Sequence, residues 1–394
     1  MKKIIVPLGP DHPLFEEPEF FILHCDGENV VDVEWQAGYN HRGIEKISET
    51  KHWDQVTFLV ERICGICSNS HPVAYANAVE NLLGIDIPER AKYIRTIISE
   101  MERLHSHLLW AGLAGHFLGY NTVFMWVWKY REPLLDMMEM LTGNRNNYSM
   151  IKIGGVRRDI NDEQIKALRK TLDTLKTQNE MLTKVVLDDP VLQARLVNVG
   201  VLTKKDIKDY GAVGPVARAS GVDIDVRRDN PYAAYSFIDW KVITRENGDV
   251  FDKAVVRLLE CFESIKIIQQ CLDRIENKKG EILNEVKEIP PGEGIGRHEA
   301  LRGEVFHYVR SDGTSSPIRH KIRAPSYVNV PTFKKSCIGQ TISDVAIILA
   351  GVDPCYCCTE RVSVYDANTR KKKNVTWTEI VRKSQEKTKK LKKS

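Results

Sequence analysis

Two CxxC motifs lie near opposite ends of this chain, and they constrain its fold more than any other feature of the sequence. Cys64 and Cys67 lie in "ERICGICSNSHP", and Cys355 and Cys358 lie in "DPCYCC". The two intervening residues of a CxxC turn the chain back, so that both thiolates can bind one soft metal ion. If all four cysteines share a metal, the fold must bring the two ends of a 394-residue chain together.

Other interpretations of the two pairs remain open at this stage. The two pairs of a zinc ribbon are usually about 15–20 residues apart, whereas nearly the whole chain separates these two. Each pair could also be an independent redox dithiol. A buried metal that is shared across the fold suits a catalytic centre better. The chain has nine cysteines, and this odd number argues against a framework of disulfides.

The hydrophobic pattern predicts an α+β fold that is mainly α. Residues 19–35 and 303–323 are typical of β-hairpins, around "DGEN" and "SDGT". Long amphipathic helices are predicted from about Pro88, after Asn161 and over about 250–288. We therefore predict a central bundle of long helices with small β-elements near both ends.

The chain shows no internal repeat and no linker rich in Gly, Ser or Pro. We predict a single domain over residues 1–361, with an N-terminal β-hairpin region of about 1–50. The most apolar stretch, residues 107–128, has about the length of a membrane span. Its histidines, asparagine and glycines, with charges at both ends, instead predict a buried core helix. We expect no signal peptide and no transmembrane segment in this chain.

Charge is distributed unevenly along the chain. Residues 362–394 form a basic C-terminal extension with eleven Lys or Arg and three Asp or Glu, a net charge of +8, which leaves −4 on the rest. The extension is either a solvated end or a tail that meets anionic lipid or an acidic partner. No second basic patch with interleaved aromatic residues occurs, so nucleic acid is not an expected partner.

The cysteine motifs and several blocks between them carry a resemblance to a known family. "RICGIC" followed by a histidine, together with "DPCxxC", resembles the two signature motifs of nickel–iron hydrogenase large subunits. The blocks "GPDHP", "GYNHRGIEK", "IGGVRRDI" and "GAVGPVARASGVDIDVRRDNPY" are similar to a narrower group. That group is the membrane-bound, energy-converting hydrogenases, which share them with the 49-kDa quinone-site subunit of complex I. The complex I subunit lacks the cysteine pairs, so the four thiols favour a hydrogenase.

The resemblance implies a nickel–iron centre. Nickel would be bound by all four cysteines, and Cys67 and Cys358 would also bridge to iron, whose other ligands are carbon monoxide and cyanide. Heterolytic splitting of hydrogen needs a Lewis acid and a nearby base. The terminal thiolate of Cys355 is then the candidate for the first proton acceptor. Cys357 lies outside both pairs and is given no ligand role.

Three further residues match family positions around the centre. Glu17 in "FEEPEFF" matches the first carboxylate of the family's proton path, and its neighbour Glu16 is the alternative. Either one could also be a solvated loop charge. His71 matches a histidine that can hydrogen-bond a bridging thiolate. Glu45 matches a glutamate that in some relatives holds a magnesium or iron ion.

The remaining matches lie towards the C-terminus. Arg302 in "EALRGE" matches an arginine over the metals, although Leu301 stands where the family usually has a proline, and this loosens the preceding backbone. Asp353 is a further motif residue beside the cysteines. Arg361 is the third residue past the last cysteine, where family members are often cut. The resemblance therefore implies removal of residues 362–394 on maturation.

By resemblance, the chain is the catalytic subunit of an energy-converting hydrogenase that interconverts protons and hydrogen, coupled to ferredoxin and ion translocation. It lacks other cysteines in cluster spacing, so an iron–sulfur small subunit is expected as a partner. Integral membrane, ion-translocating subunits are also expected, with this chain on the cytoplasmic side of the cell membrane. The alternatives are a complex I-like reductase of quinone or sulfur compounds and a non-enzymatic scaffold subunit that binds zinc.

Overall fold

The computed structural model describes residues 3–359, 364, 366, 368–369, 371, 373 and 375–392. The strands are β1 Lys3–Leu8, β2 Phe20–Asp26, β3 Asn29–Gln36, β4 Ile151–Lys152, β5 Gly155–Val156, β6 Gly292–Ala300, β7 Gly303–Ser311 and β8 Arg319–Arg323. The helices are α1 Ile44–Ser48, α2 Trp53–Glu61, α3 Ser70–Leu83, α4 Glu89–Phe117, α5 Asn121–Thr142, α6 Asp162–Asp188, α7 Pro190–Leu196, α8 Lys204–Tyr210, α9 Pro215–Ala219, α10 Val226–Asp229, α11 Val250–Ile275, α12 Pro325–Asn329, α13 Thr332–Cys337, α14 Val345–Val352 and α15 Trp377–Leu391. Single 3-10 turns cover Tyr235–Phe237, Ile342–Asp344 and Tyr356–Cys358.

Four long helices form the centre of the molecule. Helix α4 packs against α5 and α11, and α6 packs against both α5 and α11. Their facing side chains make one apolar core that includes Ile97, Leu104, Leu168 and Ile265. A three-stranded sheet lies towards each end of the chain, and a two-stranded sheet of β4 and β5 lies between them in sequence. The predicted fold class, α+β and mainly α with a central bundle of long helices, is confirmed.

Local capping explains where two of the predicted helices begin. The side chain of Asn161 accepts a hydrogen bond from the Gln164 backbone N–H at 2.9 Å, and the Gln164 side chain accepts one from the Asn161 N–H at 3.0 Å. This reciprocal pair satisfies two N–H groups that lack a partner inside α6. The Asp249 side chain caps α11 with a single hydrogen bond, which it accepts from the Asp252 N–H at 2.8 Å. The prediction for α11 was wrong at its other end, because the helix stops at Ile275 and Asn277 adopts a left-handed φ of 55°.

The apolar stretch 107–128 is not one buried helix, so that prediction was wrong. Helix α4 ends at Phe117, Gly119 has a φ of 83°, and α5 begins at Asn121. A positive φ favours glycine, and it turns the chain between the two helices. Met125 is 62% exposed and Trp126 is 39% exposed on the first turns of α5. Among the helices of the described residues, none has both the length and the apolar character to cross a bilayer.

Both predicted hairpins form, and each gains a third strand. Strands β2 and β3 pair as expected, with β1 added at the edge. Strands β7 and β8 pair as expected, and β6 pairs along the whole of β7. Helix α3 lies directly on β6. A Cβ on Gly296 would lie 2.0 Å from the Ala74 carbonyl oxygen, so glycine is needed where this strand and α3 touch.

The N-terminal sheet binds the segment that leads to the second cysteine pair. The Val30 N–H donates to the Gln340 carbonyl at 2.9 Å, and the Gly339 N–H donates to the Val30 carbonyl at 2.8 Å. Phe21 and Phe333 stack edge to face with ring centroids 5.2 Å apart. These contacts bring the two ends of the chain together.

Helix α15 lies in the basic extension, and its described side chains are mostly exposed. Arg361, the predicted cut site, lies outside the described residues. The division into a domain of residues 1–361 and an extension of 362–394 stays a prediction.

Candidate metal centre

The structure brings the four predicted cysteines together. Their Sγ atoms all lie within 4.8 Å of one another. The Cys355 sulfur is 3.1 Å from that of Cys64 and 3.1 Å from that of Cys358, and Cys67 is 3.6 Å from Cys358. Metal–sulfur bonds of about 2.3 Å require sulfurs this close. The chain therefore presents four sulfur ligands to one buried point.

A buried glutamate holds the first cysteine pair in place. Cys67 lies just before α3, and Glu102 of α4 accepts hydrogen bonds from the Asn69 N–H and the Ser70 hydroxyl, both at 2.5 Å. Burial raises the pKa of Glu102 to about 8. Sequence reasoning missed this residue. The sequence feature that could have identified it is a carboxylate on the buried face of the predicted helix.

The end of α14 positions the second pair. Trp110 donates from its indole N–H to the Ala350 carbonyl at 2.6 Å, and this carbonyl also accepts the Asp353 N–H at 2.9 Å. Asp353 then takes a left-handed φ of 56° and turns the chain. The Cys355 N–H donates to the Ser326 hydroxyl at 2.9 Å. These contacts fix the backbone on both sides of the turn that carries Cys355.

Arg302 and Asp353, both predicted, form a buried ion pair beside the cysteines. Arg302 donates from Nε to the Asp353 carbonyl at 2.8 Å and to Oδ1 at 3.0 Å. Burial alone would lower the pKa of Arg302, but Asp353 and Cys355 raise it. Its Nη1 is buried and finds no hydrogen-bond partner among the described residues. Leu301, in the family's proline position, packs with Cys64 and Cys67.

Glu17 and Glu16 both reach the centre, on different sides. Glu17 accepts a hydrogen bond from the Cys357 N–H at 2.6 Å. Its pKa is raised by burial and then by Cys64. The Glu16 side chain lines a crevice with Asp353, where burial raises its pKa to about 7 although Arg302 acts to lower it. The geometry keeps both carboxylates as candidates for the proton path.

A third carboxylate of the same segment was missed. Glu19 is fully buried, and burial raises its pKa to about 7. Its Oε2 makes no hydrogen bond within the described chain, although Trp35 and Thr359 lie near. The signal was the alternation of β2, since Glu19 lies one residue before this strand and two residues from the buried Phe21, which alternates with the buried Leu23.

His71 lies on the first turn of α3 against the second cysteine pair. Its Nε2 is 3.5 Å from the Cys358 sulfur, and its Nδ1 is 3.1 Å from Nε2 of His307. Burial lowers the pKa of His71 to about 4, so the ring is neutral. His307 and His320, which continue this contact, were missed. His307 lies on the buried face of β7 between Val305 and Val309, where alternation points it inward.

Glu45 does not join the cysteine cluster. Its carboxylate accepts hydrogen bonds from the Lys321 ammonium at 2.8 Å and from the Ile322 N–H at 3.0 Å. It lines a cavity of about 150 Å³ together with Cys358. Within the described part of the chain, only the four cysteines bring three or more His, Cys, Asp or Glu ligand atoms together. The magnesium or iron ion at Glu45 stays a prediction.

The donor set fits the nickel–iron centre that the resemblance implies. Four thiolates suit soft or borderline metals such as nickel, iron and zinc. Hydrogen bonds from Cys355 and Cys358 lower the pKa of Cys64 well below its usual range. The free Arg302 Nη1 is a buried donor beside the sulfurs. A structural zinc site needs no such donor, whereas a metal with anionic ligands would satisfy it.

Two family profiles match this chain. The profile described as "Respiratory-chain NADH dehydrogenase, 49 Kd subunit" matches residues 118–290 and 279–361. The profile described as "Nickel-dependent hydrogenase" matches residues 42–112, which include the first cysteine pair. Fold and site together therefore define a large subunit of the hydrogenase and complex I class.

Similarity to individual proteins defines the family more narrowly. The chain is 42% identical to the membrane-bound hydrogenase subunit alpha of Pyrococcus furiosus, over 98% of this chain and 93% of the relative. It is 37% identical to a subunit of the NADH-quinone oxidoreductase of Geotalea uraniireducens, over 88% of this chain and 96% of the relative. A chain of the membrane-bound sulfane sulfur reductase, an archaeal respiratory membrane complex, superposes with a TM-score of 0.87 at 33% identity, covering 91% of this chain and 98% of that chain. The protein belongs to the oxidoreductase family of membrane-bound hydrogenase large subunits and related complex I-like subunits.

Proposed function

We propose that this chain is the catalytic subunit of an energy-converting nickel–iron hydrogenase. It interconverts protons and hydrogen, exchanges electrons with ferredoxin and is coupled to ion translocation. The observation that carries the proposal is the buried cluster of four cysteine sulfurs within 4.8 Å, contributed by both ends of the chain. The 42% identity to a membrane-bound hydrogenase subunit supports the same function.

Cys64, Cys67, Cys355 and Cys358 would hold the nickel and iron. When bound, the metals, with carbon monoxide and cyanide on iron, would supply the Lewis acidity, would accept electrons when hydrogen is split and would donate them when it is formed. Cys355 receives the proton on its sulfur, since a terminal thiolate is itself a base. Leu301 packs on the thiols and excludes water from that side.

Glu17 takes the proton onward. Its carboxylate is fixed by the Cys357 N–H at 2.6 Å, next to the cysteine cluster. Burial raises its pKa, and a carboxylate whose pKa lies closer to the working pH is a better proton relay. Arg302 has a different role. Held by Asp353, it directs its free Nη1 to an anionic ligand of the metals and balances the charge of the thiolates.

The partners proposed are an iron–sulfur small subunit, integral membrane ion-translocating subunits and, through the complex, ferredoxin. The described residues hold one metal-competent cysteine cluster, so the electron-transfer clusters belong on a partner. We place the chain on the cytoplasmic side of the membrane, as a peripheral subunit. The relative from Pyrococcus furiosus, a membrane-bound hydrogenase subunit, supports a membrane complex.

A sulfur-compound reductase is the second candidate. The structural similarity to a chain of the sulfane sulfur reductase, with a TM-score of 0.87, favours it. That fold could present the same thiols to a sulfur substrate. The identity to an NADH-quinone oxidoreductase subunit supports quinone as a further electron acceptor.

One assay separates these functions. The purified complex is given a reduced, low-potential one-electron donor, first alone and then with polysulfide or a quinone. We expect hydrogen in the headspace without any added acceptor. The same complex carrying Cys355→Ser is the control and should give no hydrogen. Sulfide or quinol formation with no hydrogen would overturn the proposal.

A further inference from the structure

A row of three buried histidines connects Cys358 with helix α1. Nδ1 of His71 lies 3.1 Å from Nε2 of His307, and Nδ1 of His307 lies 2.9 Å from Nε2 of His320. Nδ1 of His320 then lies 3.0 Å from the Ser48 hydroxyl. All three histidines and Ser48 are fully buried. The row joins α3, β7, β8 and α1, which are distant in sequence.

Burial restricts each ring to its neutral form. It lowers the pKa of His320 to about 3 and that of His307 well below the usual range. A neutral imidazole has one N–H donor and one bare nitrogen acceptor. Each ring must therefore donate to one neighbour and accept from the other. The whole row has two registers, one donating towards α1 and one donating towards Cys358.

The Ser48 hydroxyl distinguishes the two registers, because it has one proton to donate. In the first register it donates to the Glu45 carbonyl at 2.7 Å and accepts from His320. His71 then presents a bare Nε2 to Cys358, which suits a thiol S–H. In the second register Ser48 donates to His320, every ring reverses, and the His71 Nε2–H donates to Cys358. That arrangement suits a thiolate.

We propose that His307 and His320 are positioning residues that determine, through His71, which hydrogen bond the Cys358 sulfur makes. The inference rests on the proposed function for the identity of the metals. The metal-loaded centre takes the second register. A hydrogen bond to a metal-bound thiolate draws charge from the sulfur and so tunes the metal.

Infrared spectroscopy of the loaded complex tests this positioning role. His307→Gln interrupts the row, and Ser48→Ala removes its last partner at little steric cost. A weaker hydrogen bond leaves more charge on sulfur, so the carbon monoxide band of iron should move to lower wavenumber in both variants, further in His307→Gln. The nickel and iron contents should stay at the wild-type ratio. Loss of such outer partners typically lowers activity by roughly 10-fold.

His298→Gln is the matched control. His298 is also a buried histidine, on β6, and its Nδ1 makes no hydrogen bond to any described residue. The carbon monoxide band of the His298→Gln complex should stay at the wild-type position. A wild-type band in both His307→Gln and Ser48→Ala would overturn the inference, and Ser48→Ala decides alone if His307→Gln fails to assemble. A wild-type complex without any carbon monoxide band would instead overturn the proposed function.

Discussion

Two buried polar regions of this protein differ in how completely they are paired. One is a network of seven charged side chains between the bundle and β6. Its members are Glu100, Arg103, Arg218, Asp225, Arg227, Glu260 and Glu299. At its middle, Arg218 donates from Nε to Glu260 at 2.8 Å and from Nη1 to Glu299 at 2.7 Å. Only the Nη2 of Arg218 lacks a hydrogen bond to another described residue.

The other region surrounds the cysteines, and several of its buried polar atoms have no hydrogen-bond partner in the described chain. Arg257 Nε faces Asp353 Oδ2 at 3.6 Å, which is beyond hydrogen-bond distance. Neither of these atoms, nor Arg302 Nη1, finds a hydrogen-bond partner in the described structure. All three side chains are almost fully buried. A buried polar atom left unpaired costs about 1–3 kcal/mol.

The difference separates a structural network from a functional site. Removing one partner from a closed network of charges destabilises a fold, because it leaves the other partners buried and unpaired. Two guanidinium donors and one carboxylate oxygen, unpaired among the described residues and beside four thiols, instead anticipate a charged ligand. These three buried atoms therefore lie on the Arg302, Asp353 and Arg257 side chains beside the second cysteine pair, where the ligands of a metal centre could pair with them. The following substitutions are expected to act on one region and spare the other.

Cys355→Ser should have the largest effect. A serine hydroxyl is a poor ligand for a soft metal, so we expect loss of nickel and of all hydrogen turnover. Cys357→Ser is the control, because this thiol lies in the same turn but outside both pairs. Metal analysis of the purified complexes checks both variants. Full nickel in Cys355→Ser would remove this cysteine from the ligand set.

Glu17→Gln should slow turnover by about 10²–10⁴-fold, the usual contribution of a positioned proton relay. The amide can still pair with the Cys357 N–H but cannot carry the proton. Nickel and iron should remain bound at wild-type amounts. Glu16→Gln is the comparison, since its carboxylate lies in the neighbouring crevice. Wild-type turnover in Glu17→Gln with slow turnover in Glu16→Gln would transfer the role to Glu16.

Arg218→Met tests the closed network. It leaves Glu260 and Glu299 buried without their cation, so we expect a loss of about 3–5 kcal/mol in the free energy of unfolding. Thermal melting of the complex measures this loss. Arg228→Met is the control, because Arg228 is 43% exposed and its ion pairs are worth about 0–1 kcal/mol. Equal melting temperatures for Arg218→Met and wild type would contradict the structural role of the network.

Glu19→Gln should change how stability depends on pH. Burial raises the pKa of Glu19 from 4.5 to about 7, so the folded chain keeps a proton that the unfolded chain loses in this window. Stability from this group is therefore present at low pH and is lost as pH rises towards 7. The glutamine variant should melt with a flatter profile between about pH 5 and 7. A glutamine variant with the wild-type slope in this window would contradict the raised pKa of Glu19.

Local sequence patterns predicted the parts of the fold that depend on neighbouring residues. The Asn161 cap, the long helices and both hairpins follow from spacing within one turn or one strand. Two predictions were wrong, the end of α11 and a single helix across Gly119. In both places the apolar periodicity continues past the residues at which the backbone turns. Strand β6 was missed because its glycines lower β-propensity, and they are present for the close contact with α3.

The site residues also fall into two groups, those that the sequence identified and those that only the tertiary structure shows. Spacing identified the cysteine pairs as candidate ligands, and the resemblance supplied Arg302, Asp353, Glu17 and His71. Glu102 and His307 have no local motif, since their partners lie 33 and 236 residues away in the sequence. Only the tertiary fold defines such contacts. Periodicity predicted that the helix of Glu102 and the strand of His307 are buried, but it did not predict the residues that they contact.

The central claim is that the cysteine cluster holds a nickel–iron pair, and its metal content tests this most directly. The purified complex should contain nickel and iron in equal amounts at this site, with infrared bands from carbon monoxide and cyanide bound to iron. Both metals and the bands should disappear together in Cys355→Ser. Zinc as the only metal on the four cysteines, with no such bands, would contradict the account and favour the scaffold interpretation.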